Sequence, residues 1–155
     1  MRQPLKPVTD EQLSNEGLEL RDYGRVLLIA CGALAREILA LINANGWTHM
    51  DLQCLPAIYH NEPSKITPSV KAAIEKYQPE YADIFVVYAD CGTGGQLKRL
   101  CDDMGVSMIA GPHCYSFYEG NTGFQAREEL TCFYLTDFLV RQFDAFFWRP
   151  MGLDR

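Results

Sequence analysis

VVYADCGTGG, residues 86–95, joins the signals that decide the fold. Its first residues end the apolar run IFVVY, which is too short for a helix and rich in β-branched and aromatic side chains, so it predicts a buried strand. Three glycines then break the strand, and Leu97, Leu100, Cys101 and Met104 follow with helical spacing. Thr93-Gly94-Gly95-Gln96 has the form of a capping box at the start of that helix. Strand, tight loop and helix make half of a βαβ unit.

The same order occurs upstream. RVLLIA, residues 25–30, reads as a strand covered on both faces, and Leu34, Ile38, Leu41 and Ile42 form the stripe of a helix that Asn45-Gly46 stops. Between the two units, DLQCLPAIYH (residues 51–60) predicts a second strand, short or at an edge because Pro56 interrupts it. Thr67 is placed to cap the next helix, with Pro68 at its first position and Val70, Ala73, Ile74 and Tyr77 on its inner face. Residues 106–110 predict a fourth short strand. Strands alternating with helices imply a mostly parallel open sheet with flanking helices, a Rossmann-like three-layer α/β fold. FYLTDFLVRQFDAFFW (residues 133–148) predicts an aromatic carboxyl-terminal helix, with Leu135, Phe138, Leu139, Gln142 and Phe146 in register, Thr136-Asp137 at its start and Arg149-Pro150 at its stop. So much apolar surface on one helix is expected to cover a sheet face.

The chain has 155 residues, of which 48% are hydrophobic, enough for one domain with a core. Residues 1–22 carry polar residues and prolines without a period and read as a flexible arm; residues 23–155 read as a single α/β domain. A formal net charge of -6 offers no basic face to nucleic acid or anionic lipid. The amino terminus lacks the apolar core of a signal peptide, and no apolar run approaches the ~18 residues of a membrane span. The expected location is cytoplasmic, where the six cysteines stay reduced.

Position singles out some of those thiols. Cys31, Cys91 and Cys114 each follow a predicted strand, as do His60 and His113. In open parallel sheets the ligand crevice lies at the carboxyl ends of the strands, so all five residues belong on one edge. If the strand order is 2-1-3-4, three neighbouring strand ends span ~10 Å, which loops can close around a zinc ion or an iron-sulfur cluster. Cys31-Gly32 and Cys91-Gly92 also precede helices, whose positive ends favour thiolates. Cys54, Cys101 and Cys132 read as packing residues. Other readings of the same residues stand. Gly92, Gly94 and Gly95 resemble an anion nest for phosphate, although GTGGQLKRL is neither a GxGxxG nor a Walker loop. Cys91, or Cys114 beside His113, could act as a nucleophile for group transfer, with Asp90 and Glu37 as general bases or as acceptors for a ligating imidazole. Tyr115, Phe117 and Tyr118 would then wall the crevice. Finally, the glycines and cysteines could serve packing alone.

At LIACGALAREI, LPAIYHNEPSKI, VVYADCGTGGQL, AGPHCYSFYEG and FYLTDFLVRQFDAFFW the chain resembles the bacterial and archaeal family known as domain of unknown function 1638. The resemblance implies Cys31, His60, Cys91, His113 and Cys114 as the functional positions. Family members are similar in gene context to proteins that accompany corrinoid-dependent methyltransferases. This implies methyl-group (one-carbon) metabolism or care of a metal cofactor, with a corrinoid protein or methyltransferase as partner. Members continue past a GLDR segment, whereas this sequence stops at Gly152-Leu153-Asp154-Arg155, so the expectation is a chain truncated relative to the family. The expected function is a metal- or iron-sulfur-binding protein, accessory or catalytic, in that metabolism. The alternatives are a small-molecule or phosphate-binding domain built on the loop of residues 92–95, and a thiol-dependent transferase or an interaction subunit of a methyltransferase system.

Overall fold

VLLIAC forms the central strand β1 (Val26–Cys31), and its last five residues are buried because both faces of the sheet are covered there. A computed structural model describes residues 24–127 and 134–153. The proposed arm of residues 1–22, Tyr23, Cys132, Phe133, Asp154 and Arg155 lie outside the described residues. Strands β2 (Met50–Leu55), β3 (Asp83–Val87) and β4 (Ser107–Met108) complete one sheet, all parallel, in the order β2-β1-β3-β4. The fold is α/β. Order reverses between β1 and β3, which puts the crevice at the carboxyl ends of these two central strands.

One face of the sheet holds the core. Leu27, Ile29, Ile84, Val86 and Tyr88 point from β1 and from β3 with its extension toward helices α2 (Ile66–Tyr77) and α3 (Gln96–Asp103), which return Ile66, Val70, Ala73, Ile74, Leu97 and Cys101. Each fully buried Val, Leu or Ile among them contributes about 1.5–3 kcal/mol, so this layer holds the sheet together. Among the described residues, the other face is covered by α1 (Ala35–Asn45), which has no buried residue, and Leu41 on its stripe is 56% exposed. An apolar groove runs beside it, lined by Leu34, Ile38 and Leu41 from the α1 region and by Val87, Ile109 and Phe117.

Local chemistry explains where the elements begin and end. Gly46 closes α1 with φ +63°, as the sequence pattern requires, and Pro56 ends β2, which is an edge strand. Helix α2 begins at Ile66 rather than at Pro68, and Thr67 makes no cap. Pro68 still fits, because the first amides of a helix have no partner within it. The box at residues 93–96 does not form either: Gly95 is the N-cap of α3, and Thr93 donates its hydroxyl to Asp90 at 2.8 Å. β4 is two residues long, yet its loop keeps pairing with the extension of β3, through Ile109 N to Val86 O (3.0 Å) and Asp90 N to Gly111 O (3.0 Å). After it come the short helices α4 (Ser116–Glu119) and α5 (Asn121–Ala126).

The aromatic carboxyl-terminal segment is helical in two pieces, α6 (Asp137–Arg141) and a π-helical turn (Asp144–Trp148). Thr136 caps α6 by accepting from the Leu139 amide at 3.3 Å. It does not lie on a sheet face as expected. Leu139 and Phe146, seven residues apart and both buried, turn instead onto the loops at the strand ends, while Leu135, Val140 and Trp148 are exposed. Among the described residues, no helix is long and apolar enough to cross a membrane.

Candidate functional site

The parallel register brings the ends of β1 and β3 side by side, and two backbone hydrogen bonds set what happens beyond them. Asp90 N donates to Gly111 O at 3.0 Å and Cys91 N to Pro112 O at 3.3 Å, so the loops after β3 and β4 run as one tied pair. Cys91 and Cys114 meet across that tie with 3.0 Å between their sulfurs. Cys31, the last residue of β1, stands close enough for its charge to oppose ionisation of Cys91, and for the charge of Cys114 to oppose its own. Beneath them lies Tyr88, 1% exposed, whose hydroxyl makes no well-formed hydrogen bond among the described residues and faces the Cys31 sulfur.

Two imidazoles complete the cluster. His60 comes from the 3-10 turn after β2 (Ala57–Asn61) and His113 from the loop after β4. Their rings meet edge to face at 5.6 Å. His113 stacks on Tyr115 at 4.3 Å, Tyr115 on Tyr134 at 5.1 Å, and His60 lies 6.3 Å from Phe146. Cys31, Cys114, His60, His113, Tyr115 and Phe146 all line one cavity of about 40 Å³. A space of that size holds an ion or a few waters, because one water needs roughly 10–15 Å³ by the same measure.

Burial decides most of the protonation states. It lowers the pKa of His60 and, reinforced by the His60 charge, that of His113, so both imidazoles are neutral near pH 7. Burial raises the Cys31 thiol above its ordinary value, against the lowering effects of the Ala33 amide and the Tyr88 hydroxyl. The expectation of a helix end favouring the thiolate fails at this residue, because a 3-10 turn (Gly32–Leu34) separates Cys31 from α1 and desolvation dominates. Cys91 lies farther still from the start of α3. Its pKa is lowered by the hydrogen bond from Cys114, which keeps the proton and is itself raised by that bond. Of the two thiols, Cys91 is therefore the first to ionise.

The structure thus gathers Cys31, Cys91, Cys114, His60 and His113, although among the described residues no three His, Cys, Asp or Glu side chains stand close enough together to hold a metal ion. It separates the other candidates from them. Asp90 accepts from Gly95 N at 2.6 Å, Gly94 N at 3.2 Å and Thr93 Oγ1 at 2.8 Å, which lowers its pKa and occupies the amides an anion would need. Gly92, Gly94 and Gly95, all with positive φ, shape this loop. Glu37 borders the apolar groove beside α1, with one carboxylate oxygen buried and unpartnered among the described residues. Of the aromatic wall, Tyr115 and Tyr118 reach the cavity, whereas Phe117 packs against the core. Sequence reasoning overlooked Tyr88 and Ser116. The alternation of β3 carries the first: Ile84, Val86 and Tyr88 share a face, and β1 puts Cys31 on that face too. Ser116 had no such signal, since its role is tertiary: fully buried, it donates to His113 O at 2.7 Å and fixes the His113-Cys114 turn.

No curated protein and no solved structure matches the chain. Residues 54–155, more than half of the sequence and including four of the five clustered residues, match the family described as "Protein of unknown function (DUF1638)", and the chain belongs to that family.

Proposed function

We propose that this protein binds one soft metal ion, with zinc the simplest case, through Cys31, Cys91 and Cys114 and one of the two imidazoles. The observation that carries the reading is the convergence of three thiols and two neutral imidazoles from the ends of four neighbouring strands: Cys31, Cys114, His60 and His113 line one cavity of about 40 Å³, and the Cys91 sulfur stands 3.0 Å from that of Cys114. Sulfur and neutral nitrogen are the donors that zinc prefers. The unsatisfied Tyr88 hydroxyl fits as well: it gains an acceptor when Cys31 becomes a thiolate, as a metal ligand must be. The cavity favours a single ion over an iron-sulfur cluster, which needs far more room. The donors do not yet form a closed set, so an ion would have to draw them inward. When bound, zinc supplies Lewis acidity and holds thiolates deprotonated at neutral pH.

We place the centre in the cytoplasm, as an accessory or catalytic part of corrinoid-linked methyl-group metabolism with a corrinoid protein or methyltransferase as partner. This placement rests on the family resemblance. Anaerobic purification, metal analysis and an optical spectrum test the centre. The expected result is about one metal ion per chain, lost in Cys91→Ala and kept in Cys101→Ala, whose sulfur is buried under α3. A metal-free protein, unchanged by Cys91→Ala, would overturn the reading, and visible iron-sulfur bands would replace the single ion by a cluster.

A further inference from the structure

The contact between Cys91 and Cys114 is closer than metal binding asks for. Two thiolates on one tetrahedral zinc ion stand about 3.8 Å apart, given Zn–S bonds of about 2.3 Å. These two sulfurs stand at 3.0 Å, about 1 Å beyond the length of a disulfide bond. Both are thiols. They face each other because the backbone ties beneath them, Asp90 N to Gly111 O and Cys91 N to Pro112 O, hold the two loops together. Cys91 also takes a left-handed backbone, φ +47°, beside three glycines that adopt such angles freely. That conformation costs a non-glycine residue about 1–2 kcal/mol, a cost with no return if the side chain merely packs.

We propose that Cys91 and Cys114 form a reversible dithiol–disulfide pair that exchanges with low-molecular-weight disulfides. Cys114 is the first sulfur to react, because it is half-buried and lines the cavity, whereas Cys91 is 8% exposed. Once Cys91 has ionised, Cys114 passes its proton to the Cys91 thiolate 3.0 Å away as it attacks a disulfide RSSR, forms a Cys114–SR mixed disulfide and releases RS⁻. The Cys91 thiolate then attacks Cys114 Sγ, forms the Cys91–Cys114 bond and releases the second RS⁻. The two protons of the cysteines end on the released thiolates, so RSSR becomes two RSH while the protein loses two protons and two electrons. Cys31 stays a thiol. The inference does not require the metal, but where both hold they exclude each other, since the disulfide takes two of the three thiolates.

The test uses the full chain, stripped of metal by a chelator and equilibrated with glutathione at varied ratios of oxidised to reduced form. Free thiols are trapped by alkylation and the cross-linked peptides mapped by mass spectrometry. Expected is a Cys91–Cys114 peptide in at least about tenfold excess over any other pair, reversed by a dithiol reductant. Cys114→Ser should abolish it and Cys54→Ser should not. Failure to cross-link at any ratio, or equal pairing of Cys31 with either partner, would overturn the proposal. The mapping on the unaltered chain decides even if Cys114→Ser fails to fold. A chain that cross-links without ever taking metal keeps this inference and loses the metal reading; a chain that takes metal and never cross-links does the reverse.

Discussion

Cys91 sits in a backbone conformation that suits glycine better than any thiol. Its φ of +47° brings β-carbon crowding worth about 1–2 kcal/mol, while a glycine there would lose about 0.4–1 kcal/mol more chain entropy on folding. The crowding is larger. Cys91→Gly should therefore be more stable than Cys91→Ala by roughly 0.5–1 kcal/mol, although both lack the thiol and neither should bind metal. Urea unfolding midpoints of the two variants give the comparison, and an alanine variant as stable as the glycine variant would mean that the angle carries no cost. The position of Cys91 after a strand was legible in VVYADCGTGG. Its angle was not, because it follows from the loop closing on Asp90 and on Pro112.

The loop between β4 and α4 shows how an element holds the site. A β-carbon at Gly111 would meet Ser116 Oγ at 2.9 Å, Asn121 Oδ1 at 3.0 Å and Phe117 Cε1 at 3.0 Å. Two of those groups brace the loop, Ser116 through His113 O at 2.7 Å and Asn121 through Ala110 O at 2.8 Å. Gly111→Ala should push α4 away, destabilise the fold by about 1–3 kcal/mol and reduce metal content with it. Gly123→Ala, whose added carbon meets nothing nearer than Glu119 Cβ at 3.7 Å, should leave both unchanged. Thermal melts and metal analysis of the two variants check this, and equal effects would remove Gly111 from the account. At this scale the sequence was read well where the pattern is local. Strand β3, the stop of α1 at Gly46 and the inner face of α2 stand where the periodicity put them. The aromatic segment was misplaced because helical spacing says which side of a helix is apolar and not what that side will meet.

At the scale of the whole sheet, the described residues are asymmetric, with a full core under α2 and α3, a sparse cover under α1, and the thiol–imidazole cluster at the switch point between β1 and β3. The two buried imidazoles link this arrangement to pH. Both have lowered pKa values in the folded chain, and in the unfolded chain they return to about 6.5. Below that pH the unfolded state takes up more protons, so the stability of the metal-free protein should be complete above about pH 6.5 and fall as the pH drops toward the native values. Asp90 shifts in the same direction, and its contribution is lost only at lower pH, through the carboxylate range. Melting temperatures from pH 7.5 to pH 5 should therefore decline, and a His60→Gln, His113→Gln double variant should flatten the decline. An unchanged slope would place both imidazoles in water. By itself the sequence determined the α/β class, the strand-end edge and the residue types gathered there, because each depends on periodicity and on the rule that parallel strands end on one side. Only the tertiary structure decided that Cys91 touches Cys114, that Asp90 fills the glycine loop, that Tyr88 lies under Cys31 and that the aromatic segment roofs the site. Those outcomes depend on hydrogen bonds and burial between residues far apart in the chain, whose energies no local pattern carries.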